Sequence, residues 1–127
     1  MALTSFTAGE TISPGNVVFL NGSGFLYKAS AGAFAQASAV GISLDSSLAT
    51  NLTRVDSDSV YSAFSSLTPG SLQYLSITVS GTLVDYPSWN TEFTNLTASG
   101  AFLTQIGRAL TTSGVAIEIE KPIYVTK

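Results

Sequence analysis

The chain has 127 residues, 45% hydrophobic and only 10% charged, with a net charge of −3. That length predicts a single domain spanning residues 1–127, and the hydrophobic share excludes charge-driven disorder. Cys and His are both absent, which removes disulfides, thiolate nucleophiles, zinc ribbons and histidine acid–base chemistry, and the acidic balance argues against binding a phosphate backbone.

In chain order, residues 1–7 read as an extended N-terminal arm carrying Leu3 and Phe6. With no obvious partner strand, the arm is either disordered or laid across a neighbouring subunit, and the sequence leaves both open. Met1-Ala2-Leu3-Thr4-Ser5 lacks the basic start of a signal peptide, so the mature chain is expected to begin at or near Met1. Ser13-Pro14-Gly15 is a turn signature, with Pro presetting φ. Val17-Val18-Phe19-Leu20 and Phe25-Leu26-Tyr27-Lys28 then flank Asn21-Gly22-Ser23-Gly24, which predicts a β-hairpin with Asn21 and Gly22 at positive φ. A strand follows at Val40-Gly41-Ile42-Ser43-Leu44. Residues 47–52 are short helix candidates, and residues 55–61 read as an exposed strand or loop edge with solvated charges.

The same layout returns downstream. Thr68-Pro69-Gly70 precedes Leu72-Gln73-Tyr74-Leu75 and Gly81-Thr82-Leu83-Val84, at an offset of 55 that places Tyr74-Leu75 on Phe19-Leu20. Ile106-Gly107-Arg108-Ala109-Leu110 echoes residues 40–44 at an offset of 66. We read an internal duplication of a turn, a hairpin and a later strand with an early glycine. Residues 88–93 are a second short helix candidate. Val115, Ile117 and Ile119 alternate with Ala116, Glu118 and Glu120 as a half-buried strand, Lys121-Pro122 ends it, and Ile123-Tyr124-Val125 adds another. Many short strands and poor helix signals predict an all-β fold, a small β-sandwich or barrel with two similar halves. No apolar run approaches the length of a membrane span.

The inventory of reactive groups is thin. The carboxylate pairs Asp56/Asp58 and Glu118/Glu120 each share a strand face, but neither has the aromatic platform or Arg of a glycosidase cleft. Asp56-Ser57-Asp58 lacks the glycine and terminal glutamate of a Ca²⁺ loop, so solvated charges are the expected reading. Gly22-x-Gly24 is followed by no phosphate-loop Lys. Three Asn-x-Ser/Thr triplets are discarded, because a chain with 19 Ser and 15 Thr produces them by chance. Trp89, flanked by Tyr86, Pro87 and Phe93, is either an exposed anchor for a partner or sugar, or a plug at one end of the core; a lone Trp favours burial.

In order, Ala8-Gly9-Glu10-Thr11-Ile12-Ser13-Pro14-Gly15-Asn16-Val17-Val18-Phe19-Leu20, Gly24-Phe25-Leu26-Tyr27-Lys28-Ala29 and Ala39-Val40-Gly41-Ile42-Ser43-Leu44 resemble a small β module of tailed-bacteriophage structural proteins. The second-half echo extends the resemblance over most of residues 7–125, with departures at 46–64 and 86–93. Proteins of this kind serve as capsid decoration (cement) proteins, head fibres and tail-fibre modules. The resemblance implies a virion component, a homotrimer without enzymatic activity or cofactor. Its expected partner is the major capsid protein, with no nucleic acid or membrane bound. Its expected place is the capsid exterior, after assembly in the host cytoplasm. The first expectation is a decoration protein that binds and stabilises the assembled shell; the alternative is a fibre module that binds a host receptor or glycan. The short arm leaves little room for a shaft, which favours the first. The expected partner interface is Leu3 and Phe6 with Trp89 and Phe93.

Overall fold

A computed structural model describes residues 3–127, so Met1 and Ala2 of the expected arm lie outside the described residues. The chain forms β1 (Leu3–Thr7), β2 (Val17–Leu20), β3 (Leu26–Lys28), the short helix α1 (Phe34–Ala37), β4 (Gly41–Ser43) and β5 (Leu52–Asp56). These five strands build an antiparallel sheet in the order β1-β5-β4-β2-β3. The second half gives β6 (Val60–Tyr61), β7 (Leu72–Leu75), β8 (Leu83–Val84), helix α2 (Tyr86–Thr94), β9 (Gly100–Leu103), β10 (Gln105–Ala109) and β11 (Val115–Ile117). Its sheet runs β6-β11-β10-β7-β8, while β9 pairs with β12 (Ile123–Thr126) in a two-stranded ribbon.

The two five-stranded orders are the same order. Strands β1 to β5 correspond in chain sequence to β6, β7, β8, β10 and β11, and each takes its counterpart's place in the sheet. The hydrogen bonds repeat with them. Gly15 N–H donates to Ser43 O at 2.8 Å and Ser43 N–H to Asn16 O at 2.8 Å; Gly70 N–H donates to Ala109 O at 2.6 Å and Ala109 N–H to Ser71 O at 2.8 Å. Gly15 and Gly70 share a φ of +88°. The expected duplication is thus present strand by strand, with β2/β7 at the offset of the Pro-Gly pairs and β4/β10 at the offset of the later glycines.

The sheets pack face to face around one main core, with Val17, Phe19 and Ile42 from the first sheet against Tyr61, Leu75, Ile106 and Ile117 from the second. Covering that apolar surface is the main stabilising term in the fold. A smaller core lies on the other face of the first sheet, where Val18, Leu26 and Val55 meet Ala8, Ile12 and Phe6. The packing is therefore head to tail. In the first sheet the side chains of Val17 and Phe19 enter the shared core; in the second the shared core takes Leu75, the counterpart of Leu20, whose own side chain belongs to the small core.

Several expectations are corrected. Leu3–Thr7 is not a free arm: it is an edge strand paired with β5 from Leu3↔Asp56 to Thr7↔Leu52, because that pairing satisfies its backbone and lets Phe6 reach the small core. The hairpin loop turns elsewhere than predicted, since the positive φ falls on Gly24 (+83°) rather than on Asn21 or Gly22. The loop is five residues long, with Gly24 N–H bonded to Asn21 O at 3.0 Å. Residues 47–52 form no helix, because Ser47 bridges to Ile12 and β5 begins at Leu52. Helix α2 overlaps the predicted 88–93, whereas α1 carried no signal. Val55, Asp56 and Tyr61 are buried and β5 is an inner strand, so of the exposed edge predicted at 55–61 only Asp58 and Val60 are exposed, Val60 on the edge strand β6.

Candidate functional site

Helix α2 begins at Asp85, whose carboxylate accepts the Ser88 N–H at 2.9 Å, with Pro87 in the first turn. The i, i+3, i+7 spacing of Tyr86, Trp89 and Phe93 puts three rings on one side. Tyr86 stacks on Trp89 at 6.3 Å and 13°, and Trp89 on Phe93 at 5.1 Å and 10°. Tyr74 of β7 meets Tyr86 edge-on at 6.0 Å. Glu92 ties the helix to the end of β7, accepting the Ser76 hydroxyl at 3.0 Å and the Ile77 N–H at 2.7 Å. Lys127 closes the far end, its Nζ 5.9 Å above the Phe93 ring and donating to Thr94 O at 3.0 Å.

Trp89 is 2% exposed. It is not an exposed anchor: its ring is buried between Tyr86 and Phe93 of the same helix, outside both core clusters, and it presents no ring face to a partner. Phe93, half-buried, stacks beside it. Leu3 and Phe6 belong to the first sheet, Leu3 exposed and Phe6 turned into the small core. The four residues expected to form one interface are therefore split between the first sheet and helix α2, where Trp89 and Phe93 stack on each other.

Asp56 is buried rather than solvated. Burial alone would raise the pKa of its carboxyl, but the Ser59 hydroxyl and the N–H groups of Asp58 (3.2 Å) and Ser59 (3.1 Å) hold it below the ordinary carboxylate value. These bonds fix the connection between the two halves. Because the folded pKa is the lower one, Asp56 contributes stability above the unfolded pKa of about 3.9, lost as pH falls through its folded value. Asp56→Ala is expected to cost about 2 kcal/mol at neutral pH. Asp56→Asn should flatten the acid limb of a stability–pH curve measured by urea unfolding; an unchanged acid limb would refute the assignment. Among the described residues no three carboxylates converge on a point that could hold a metal ion, and no helix is long and apolar enough to cross a membrane.

The surface that stands out is one that sequence reasoning missed. In the second sheet Tyr61, Gln73, Leu75, Leu83, Val115 and Ile117 face inward, so by register Val60, Leu72, Tyr74, Val84, Arg108 and Ala116 form the opposite face. Leu72 and Tyr74 are the counterparts of Val17 and Phe19, and Arg108 is the counterpart of Ile42; in the first sheet those three are core. The equivalent face is here covered by no second sheet: Leu72, Tyr74 and Val84 are half-buried, helix α2 reaches over Tyr74 through Tyr86, and an open groove of about 390 Å³ remains between Leu72, Tyr74, Tyr86 and Pro87. Arg108 is exposed, with Nη1 donating to Gly70 O at 2.8 Å. The offsets of 55 and 66 pair these residues in the sequence, but which face each half turns inward is not written there. No protein-family model matches this chain, and no curated protein matches it in sequence.

Proposed function

We propose that this protein is a structural component of a tailed-bacteriophage virion, a capsid decoration protein that binds the assembled major capsid shell as a homotrimer and acts by binding rather than catalysis. The observation that carries this reading is the outer face of the second sheet, which no second β layer covers and which keeps an open groove beside helix α2, since its counterpart in the first sheet lies in the core between the two sheets. Apolar residues at Leu72, Tyr74 and Val84, with one guanidinium at Arg108, suit a protein surface better than a small polar substrate. The ordered resemblance of residues 7–125 to phage β modules gives independent support. A ligand that binds only the assembled shell stabilises it by mass action, and several contacts per trimer multiply through avidity.

The test is addition of the pure protein to undecorated capsids. Saturable binding and higher thermal resistance of the particles are expected, with Tyr74→Ala weakening binding about 30-fold at an unchanged circular dichroism spectrum. Adsorption to host cells without capsid affinity would overturn the reading in favour of a fibre module.

A further inference from the structure

We propose that Asn21 is a site of spontaneous deamidation, promoted by the loop that holds it. Asn21 is the only asparagine followed by glycine in the chain. It opens the β2–β3 loop, with its N–H on Phe25 O at 3.0 Å and its main-chain oxygen taking the Gly24 N–H at 3.0 Å. The side-chain oxygen Oδ1 accepts two further N–H groups, from Ser23 and from Phe25, both at 3.0 Å. A bond from Oδ1 to the N–H two residues on is an Asx turn, a hydrogen-bonded ring that contains both the side-chain carbonyl carbon and the intervening Gly22 nitrogen. Among the described residues that nitrogen donates to no acceptor, and a Cβ added at Gly22 would meet nothing within 4 Å.

The chemistry needs only water. The Gly22 nitrogen gives its proton to solvent base and bonds to Asn21 Cγ, and the carbonyl electron pair moves onto Oδ1. There the Ser23 and Phe25 N–H groups already point, so they stabilise the developing oxyanion as preorganised donors. Solvent returns a proton to Nδ2, and collapse breaks the Cγ–Nδ2 bond and releases ammonia, leaving a succinimide. Nδ2 is held by no hydrogen bond among the described residues. Water then opens the ring at either carbonyl, to aspartate or isoaspartate; water enters, ammonia leaves, and nothing is oxidised or reduced. The product adds one negative charge at the hairpin tip, and isoaspartate also lengthens the main chain by a methylene at the start of the turn.

The full chain is incubated folded, and in parallel unfolded in urea, at mildly alkaline pH. Isoaspartate at residue 21 is followed by peptide mass and by isoaspartyl methyltransferase labelling. The folded chain is expected to convert about tenfold faster than the unfolded one, because only the fold aims the two donors. Gly22→Ala, which has open space and no positive φ to defend, should keep the spectrum of the fold and slow conversion about tenfold by crowding the attacking nitrogen. Equal rates in folded and unfolded chains, slower conversion in the folded one, or an unslowed Gly22→Ala would each overturn the proposal.

Discussion

Gly107→Ala is expected to destabilise the fold by about 3 kcal/mol or more, a large part of a typical stability. A Cβ at Gly107 would stand 2.2 Å from Ala116 O and 2.8 Å from Val115 Cγ1. Both atoms belong to β11, the neighbouring strand, so the sheet itself must separate before the methyl fits. Its twin behaves alike. A Cβ at Gly41 would lie 2.5 Å from Asp56 O and 2.5 Å from Val55 Cγ1 of β5, so Gly41→Ala should cost a similar amount through the same clash in the other sheet. Gly22→Ala, in open space, should stay within about 0.5 kcal/mol of the parent. Urea unfolding followed by circular dichroism separates the cases: the midpoint falls for the first two at unchanged slope and holds for the third. A parental midpoint for Gly107→Ala would mean that the two strands do not approach as described.

Trp89→Ala is expected to cost about 3–5 kcal/mol, the loss seen when a large buried ring leaves a cavity. The ring sits between Tyr86 and Phe93 and is the largest fully buried side chain. Trp89→Phe should cost far less. It keeps a ring in the stack and removes an indole N–H that is buried without an acceptor among the described residues, a group whose burial costs about 1–3 kcal/mol. The pair separates packing from partner contact. If Trp89 touched the shell directly, Trp89→Phe would weaken particle binding without lowering the urea midpoint; the buried ring predicts unchanged binding. Trp89 is the only tryptophan, so unfolding of both variants is followed by circular dichroism.

Much of the fold was legible because its signals are local. Val17-Val18-Phe19-Leu20 and Leu26-Tyr27-Lys28 announce a hairpin, Val115 and Ile117 alternate with Ala116, and Pro14-Gly15 and Pro69-Gly70 mark the turn before the hairpin of each half. Other features misled for a physical reason. Leu3–Thr7 has no strand near it in sequence, and its partner β5 begins 45 residues after it ends. Asp56 looks like one of two solvated acids, yet three donors that the chain turn brings back from Asp58 and Ser59 make its burial tolerable. Asn21-Gly22 has the composition of a tight two-residue turn, but the loop spends its positive φ two residues later, at Gly24.

Taken alone, the order of residues determined an all-β chain built twice, poor in charge and without thiol or imidazole. Turn chemistry and period-2 burial act over a few residues, and a copied motif keeps its spacing. Only the tertiary structure decided which face of each copy is inside. Leu72, Tyr74 and Arg108 stand where Val17, Phe19 and Ile42 stand in the first half, yet one set lies on the outer face of its sheet and the other in the core. A strand offers both faces to the same sequence, and the choice between them is made when two sheets meet head to tail and only one face of each can be covered.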